Sequence, residues 1–195
     1  PRTRGRRCSR KRAAASGELV GLHATYAEYY RLNLQRHLDF LTARGFFDAS
    51  QTDAIRAAIR AHDDLLDIGP GCLVHKDLAL WNILGAPDRI AAFIDWDDAI
   101  SGDPMDDLSL LGCFYGEPVL TRALSGYAKV RPLPHAYLPR FWLHLLRNMI
   151  VKAVIRVGAG YFSRNDSFFL IGAGSSGADL EHTTRARIDA ALRGL

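Results

Sequence analysis

Residues 74–84 read VHKDLALWNIL. The short apolar runs CLVH (72–75) and NIL (82–84) bracket a turn-like stretch that carries Lys76 and Asp77, with His75 and Asn82 at its two ends. A third apolar run, IAAFID (90–95), follows the turn-like GAPDR and ends on Asp95, thirteen residues after Asn82. Runs this short, bounded by Gly, Pro and Asp, predict small strands around loops. Polar side chains thereby leave the ends of apolar strands, where a carboxylate costs desolvation unless a cation or donors compensate it.

On either side the pattern changes to helical. Leu19, Leu22, Tyr26, Tyr29, Tyr30, Leu34, Leu38 and Leu41 recur at three- and four-residue steps, predicting one amphipathic helix over 17–44 with Gly45 as its stop. A second helix is expected over 51–66, opened by Ser50 with Asp53 three residues on and carrying Ile55, Ile59, His62 and Leu66 inward. Gly69, Pro70 and Gly71 end it. After Pro104 helices are expected at about 104–114, 116–130, 135–157 and 178–193. The third carries a continuous apolar stripe through Leu138, Trp142, Leu145, Leu146, Met149, Ala153 and Val157, which builds core. The expected fold is α+β and mostly helical, with a small strand-and-loop insert. With 48% hydrophobic residues in 195, there is enough apolar material for one buried domain.

Charge is unevenly distributed. Residues 1–12 hold seven basic side chains and no acid, whereas the rest of the chain is net −3, so the formal +4 belongs to the N-terminus. Residues 1–16 have no apolar periodicity and are expected to form a disordered basic tail. The tail has no aromatic residue for base stacking and the body no nucleic-acid motif, so no specific nucleic-acid partner is expected. The most apolar stretch, 141–157, is broken by His144, Arg147, Asn148, Lys152 and Arg156, which argues against a membrane span. Only Ala13–Ala15 follow the basic flank, too short for a signal-peptide core, and a cytoplasmic location is expected. Cys8, Cys72 and Cys113 form no CxxC pair and suggest neither disulfides nor a zinc site. Between Asp63 and Asp107 eleven Asp face only Lys76 and Arg89, a net −9.

Phosphoryl transfer from a nucleotide needs a carboxylate to orient or deprotonate the attacking hydroxyl and hard oxygen ligands to hold Mg²⁺ against the phosphates. In the kinase pattern HRDLxxxxN the Asp precedes the Asn by five residues; Asp77 and Asn82 are five apart, and Leu78 follows Asp77. VHKDLALWNIL followed by FIDWDDAISGDPMDDLSLL resembles the C-terminal lobe of the aminoglycoside phosphotransferase family, whose choline-kinase-like relatives share the protein-kinase-like fold. The motif-bearing resemblance covers about residues 70–115. It implies Asp77 as catalytic base, Asn82 and Asp95 as Mg²⁺ ligands beside ATP, His75 as support for the catalytic loop, and Asp107 as anchor of that loop through backbone amides. Asp97 and Asp98 are expected at the substrate-facing or metal-adjacent rim.

Two departures from the family pattern are visible. Lys76 stands where the family usually has Gly or Asn; it is expected either to neutralise developing phosphate charge or to be solvated. Trp96 replaces the more frequent Phe. The larger departure precedes the motif. A kinase fold places a glycine-rich loop and a phosphate-binding Lys in an N-terminal lobe, yet the 74 residues before His75 read as a basic tail and two helices. Residues 17–195 are therefore expected to be a C-terminal lobe whose nucleotide-binding N-terminal lobe is missing. Gly172, Gly174 and Gly177 match GxGxxG, but no second strand with an acidic residue follows, so a connection before the last helix is expected. The expected activity is ATP- and Mg²⁺-dependent transfer of the γ-phosphate to a hydroxyl of a small cationic acceptor, aminoglycoside-like or an amino alcohol. The alternative is a truncated or degenerate module that acts as a non-catalytic binding protein. The oligomeric state is left open.

Overall fold

The computed structural model describes residues 12–13, 19–165 and 176–195. The fold is α+β: seven helices, α1 (Tyr26–Arg31), α2 (Leu34–Ala43), α3 (Ala49–Ala61), α4 (Pro104–Phe114), α5 (Val119–Val130), α6 (Tyr137–Gly158) and α7 (Gly177–Gly194), with three two-stranded antiparallel ladders among the described residues. Strand β1 (Arg12–Ala13) pairs with β2 (Leu19–Val20), β3 (Cys72–Val74) with β6 (Ile100–Gly102), and β4 (Ile83–Ala86) with β5 (Arg89–Phe93). The β1–β2 pairing falls at the border of the stretch expected to be a tail; most of residues 1–16 lies outside the described residues.

The single helix expected over 17–44 is divided. The Thr25 hydroxyl accepts from the Glu28 N–H at 3.1 Å and caps α1. Asn33, at φ 59°, then adopts the left-handed conformation that short polar residues tolerate and turns the chain into α2. Gly45, at φ 69°, follows the end of α2, as its position in the sequence predicts. α3 begins two residues earlier than expected, because Asp48 and Gln51 form a reciprocal capping box (2.7 and 3.0 Å) in place of Ser50 and Asp53. It ends at Ala61, and a 3₁₀ turn, Asp63–Leu66, takes up the remainder.

The core forms around α6, which packs against α4, α7 and α2. Leu143, Leu146, Met149 and Ile150 of α6 are fully buried with Tyr30, Leu38, Leu41, Ile55 and Met105. The helix is buried over most of its circumference: Leu145, Leu146, Met149 and Ala153 of the expected stripe are buried, Phe141, Leu143 and Ile150 join them, and Leu138 is exposed. The Tyr30 hydroxyl donates to the Leu143 carbonyl at 2.8 Å, tying α1 to α6. α7 opens with a Ser176–Asp179 capping box, and Gly177 comes so close to the 162–164 backbone that a Cβ would lie 2.5 Å from the Phe162 oxygen. Gly177 thus serves helix packing; Gly172 and Gly174 lie outside the described residues.

Strand β6 was not expected from the sequence. ISG is too short and polar to announce a strand, yet its register with β3 (Cys72↔Gly102, Val74↔Ile100) carries residues 103–107 back beside His75. No helix among the described residues is long and apolar enough to cross a membrane.

Leu146→Ala would remove a side chain with no exposure from the α6 core. We expect a loss of about 2–5 kcal/mol in urea unfolding at unchanged fold, the range for buried Leu truncations.

Candidate active site

The site is built on the first turn of α4 and on the loop that leaves β3. Asp103 caps α4, its Oδ1 accepting from the Met105 N–H at 2.9 Å, and Pro104 occupies the first turn, where its missing N–H costs nothing. Asp106 and Asp107 follow in the same turn, where the helix dipole favours carboxylates. They point to different tasks. Asp107 accepts from the backbone N–H groups of His75 (2.7 Å) and Lys76 (2.9 Å), holding the loop from behind. Burial raises its carboxyl above the usual range, against the lowering effect of these two amides.

Asp106 is fully buried and sits in a polar cluster. Its Oδ1 receives Lys76 Nζ at 2.8 Å and Asn148 Nδ2 at 2.9 Å; its Oδ2 receives the Tyr26 hydroxyl at 2.8 Å. Burial opposes ionisation, but Lys76, His144 and Arg147 outweigh it and hold the carboxyl well below the ordinary carboxylate range. Lys76 is the correction that the structure makes to the sequence reading. Its side chain is not solvated: it is 7% exposed and bonds Asp106 and Asn148 Oδ1, the latter at 3.0 Å. Its backbone lies in the left-handed region (φ 69°), and both Lys76 and Asp77 line the adjacent cavity.

His75 joins the two halves of the motif. Buried against Trp96 (ring centroids 4.5 Å apart), it accepts from the Asp77 N–H at Nδ1 (3.3 Å), which leaves Nε2 to donate to the Ile94 carbonyl at 2.8 Å. The Ile94 N–H donates in turn to the Asn82 carbonyl at 3.0 Å. Asn82 Nδ2 donates to the Asp77 carbonyl (2.8 Å) and lies 3.2 Å from Asp77 Oδ2. Asp77, Asn82 and the backbone next to Asp95 are thereby fixed together. Asp95 itself is exposed and held at φ 65°, an uncommon conformation for a residue with a side chain.

Asn82 and Asp95 offer oxygen donors to a cation. With Asn82 Nδ2 committed to Asp77, the amide Oδ1 is the end available to a metal, and the Asp95 carboxylate is solvent-accessible. An amide oxygen and a carboxylate are hard ligands of the kind Mg²⁺ accepts alongside water and phosphate oxygens. Among the described residues no group of three His, Cys, Asp or Glu forms a metal cage, so such an ion would rely on ligands from the nucleotide. Beside Asp77 opens a cavity of about 380 Å³, walled by Tyr29, Asn33, His37, Asp98, Asn148 and Lys152 among others. Asp98 lines it; Asp97 is exposed and does not. A cavity of about 490 Å³ between Cys72, Tyr127, Arg131 and Arg140 contains none of the expected site residues.

Residues 10–139 match the model of the phosphotransferase enzyme family. The chain belongs to that family. A 62-residue stretch is 40% identical to viomycin phosphotransferase of Streptomyces vinaceus, covering 29% of this chain and 22% of that protein. The fold is similar to a thermostable aminoglycoside phosphotransferase, APH(4)-Ia, solved as a ternary complex with AMP-PNP and hygromycin B (TM-score 0.60, 20% identity, 89% of this chain and 54% of that one). It is also similar to a protein of Thermobifida fusca described as a fructosamine-3-kinase (TM-score 0.59, 24% identity, 91% and 56%). At these identities the likeness is one of fold, that of the protein-kinase-like phosphotransferases. The chain spans about half the length of these solved relatives.

Within this phosphotransferase fold, several residues at or behind the site escaped the sequence reading. His144, Asn148, Lys152 and Arg156 interrupt an apolar helix at steps of four, which puts all four on one face. Asn148 bonds Lys76, Asp106 and Ser109; Lys152 Nζ lies 3.4 Å from Asp77 Oδ1; His144 lies 3.2 Å from Asp103 and 3.4 Å from the Tyr26 hydroxyl. That periodic signal was available, but a polar residue in a core helix shows its partner only once the chain is folded.

Lys76→Met would leave Asp106 buried without its nearest counter-charge, and we expect a loss of about 3–5 kcal/mol in urea unfolding at pH 7. Because the folded carboxyl of Asp106 is depressed, its contribution is present above the unfolded value near pH 4 and is lost as pH falls further. Asp106→Asn should therefore lose less stability than wild type between pH 7 and pH 3; equal losses would show that the acid sensitivity lies elsewhere.

Proposed function

We propose that this chain carries the catalytic loop and acceptor wall of an ATP- and Mg²⁺-dependent small-molecule phosphotransferase. The observation that supports it most is the convergence at Asp77: a partly exposed carboxylate bordering a cavity, hydrogen-bonded to Asn82 and set by His75 beside the strand end that presents Asp95. Asp77 orients the acceptor hydroxyl and receives its proton as the acceptor oxygen bonds to the γ-phosphorus and the bond from that phosphorus to the bridging oxygen of ADP breaks. Asn82 and Asp95 would hold Mg²⁺, which would supply positive charge against the phosphates. His75 and Asp107 keep the loop in place, and Lys76 is assigned to the support of the loop from within.

The acceptor is assigned to the cavity beside Asp77, with Asp98 at its rim for a cationic group; Asp97 is kept only as a more distant part of the same acidic edge. A cationic hydroxyl compound is supported by the relatives, one named for viomycin and one bound to hygromycin B. The nucleotide-binding lobe is assigned to sequence outside this chain. Exposed Leu84, Ile90 and Phe93 on the β4–β5 hairpin, with Trp81 and Trp96 near it, form an apolar surface of the kind such a lobe covers. The free thiols of Cys72 and Cys113 suit a cytoplasmic location.

The second reading is a truncated or degenerate kinase-like module that acts as a non-catalytic binding protein. Turnover separates the two. With MgATP and hygromycin B or viomycin as acceptor, Asp77→Ala should lower kcat by a factor of about 10²–10⁴ at unchanged thermal unfolding, and chelation of Mg²⁺ should stop transfer. Both are measured on the full-length protein that includes the nucleotide-binding lobe: undiminished turnover in Asp77→Ala would exclude Asp77 as the base, and wild-type protein that binds acceptor without turnover would establish the second reading.

A further inference from the structure

We infer that Lys152 is a positioning residue for Asp77, holding one end of its carboxylate while Asn82 holds the other. The inference rests on the phosphotransfer proposed above. Lys152 Nζ lies 3.4 Å from Asp77 Oδ1, and Asn82 Nδ2 lies 3.2 Å from Asp77 Oδ2. The two partners come from separate elements, α6 and the 3₁₀ turn Leu80–Asn82. Together they restrict rotation of the carboxylate plane, the degree of freedom that decides whether an oxygen faces an acceptor hydroxyl.

Lys152 is itself constrained. Its ammonium lies 5.0 Å from the Phe114 ring centroid at the end of α4, an aromatic face that favours a cation, and its side chain is only 21% exposed. One helical turn before it, Asn148 Oδ1 accepts from Lys76 Nζ. α6 therefore grips both members of the Lys76–Asp77 dipeptide through two residues four apart. The helix supplying both is among the most buried in the molecule, so its rigidity passes directly to the carboxylate.

A single, partly exposed ion pair at 3.4 Å contributes little to stability, so truncation of Lys152 should act on turnover more than on folding. Lys152→Met is expected to lower kcat roughly tenfold with the KM for MgATP within about twofold and the melting temperature nearly unchanged. Lys152→Arg, which keeps a charge and donors, should recover most of the loss. Unchanged kcat in Lys152→Met, or an Arg variant as poor as Met, would overturn the inference. These variants are made in the full-length protein that includes the nucleotide-binding lobe; wild-type protein without turnover would defeat the phosphotransfer proposal instead, and the side-chain ¹⁵Nζ resonance of Lys152 would then decide the positioning. It should shift and exchange its protons faster in Asp77→Asn; an unaffected resonance would overturn the contact.

Discussion

The buried ion pair between Lys76 and Asp106 is the constraint on which the rest of the site depends. Two charges withdrawn from water carry a penalty that their mutual attraction repays only when the remaining donors and acceptors are matched. Here they are matched by Tyr26 from α1, Asn148 from α6 and Ser109 from α4, so four segments distant in sequence must meet at one point. The left-handed backbone of Lys76 is the local cost of reaching that point. Once Lys76 is committed inward, Asp77 has its position beside the cavity.

The same turn of α4 explains why the acidic surplus around the motif is not a single functional feature. Asp103 caps the helix and pairs with Arg140, Asp106 neutralises Lys76, and Asp107 receives two loop amides. These three carboxylates are largely removed from solvent and act on the protein itself. Asp77, Asp95 and Asp98 remain at the accessible face, with a cavity beside two of them. An acidic composition is therefore a poor guide to an acceptor's charge until the structural carboxylates have been set apart.

Rigidity at the site comes from outside the motif. The imidazole of His75 connects the Asp77 loop to the strand end before Asp95, and Asp107 anchors the same loop to α4. α6 supports it from below through Asn148 and Lys152. By contrast, the β4–β5 hairpin leaves Leu84, Ile90 and Phe93 exposed, so the catalytic side is firmly packed on its helical face and open on its strand face. The chain corresponds to about half the length of the solved relatives.

The sequence by itself determined the fold class, the α4 boundaries and the stop at Gly45, because each rests on local information such as periodicity or a turn residue; Asp77, Asn82 and Asp95 stand out in it by spacing, and His75 and Asp107 only by resemblance to a family. It misjudged the first helix, where Thr25 and Asn33 impose a cap and a turn that apolar periodicity does not register. It misplaced Lys76 for a different reason. Whether a lysine faces phosphate, solvent or a buried aspartate depends on what lies thirty and seventy residues further along the chain, here Asp106 and Asn148. The contact of Lys152 with Asp77 was hidden in the same way. Spacing along one strand or helix records which residues share a face, but only the tertiary structure decides which charge meets which, because that choice is made by burial.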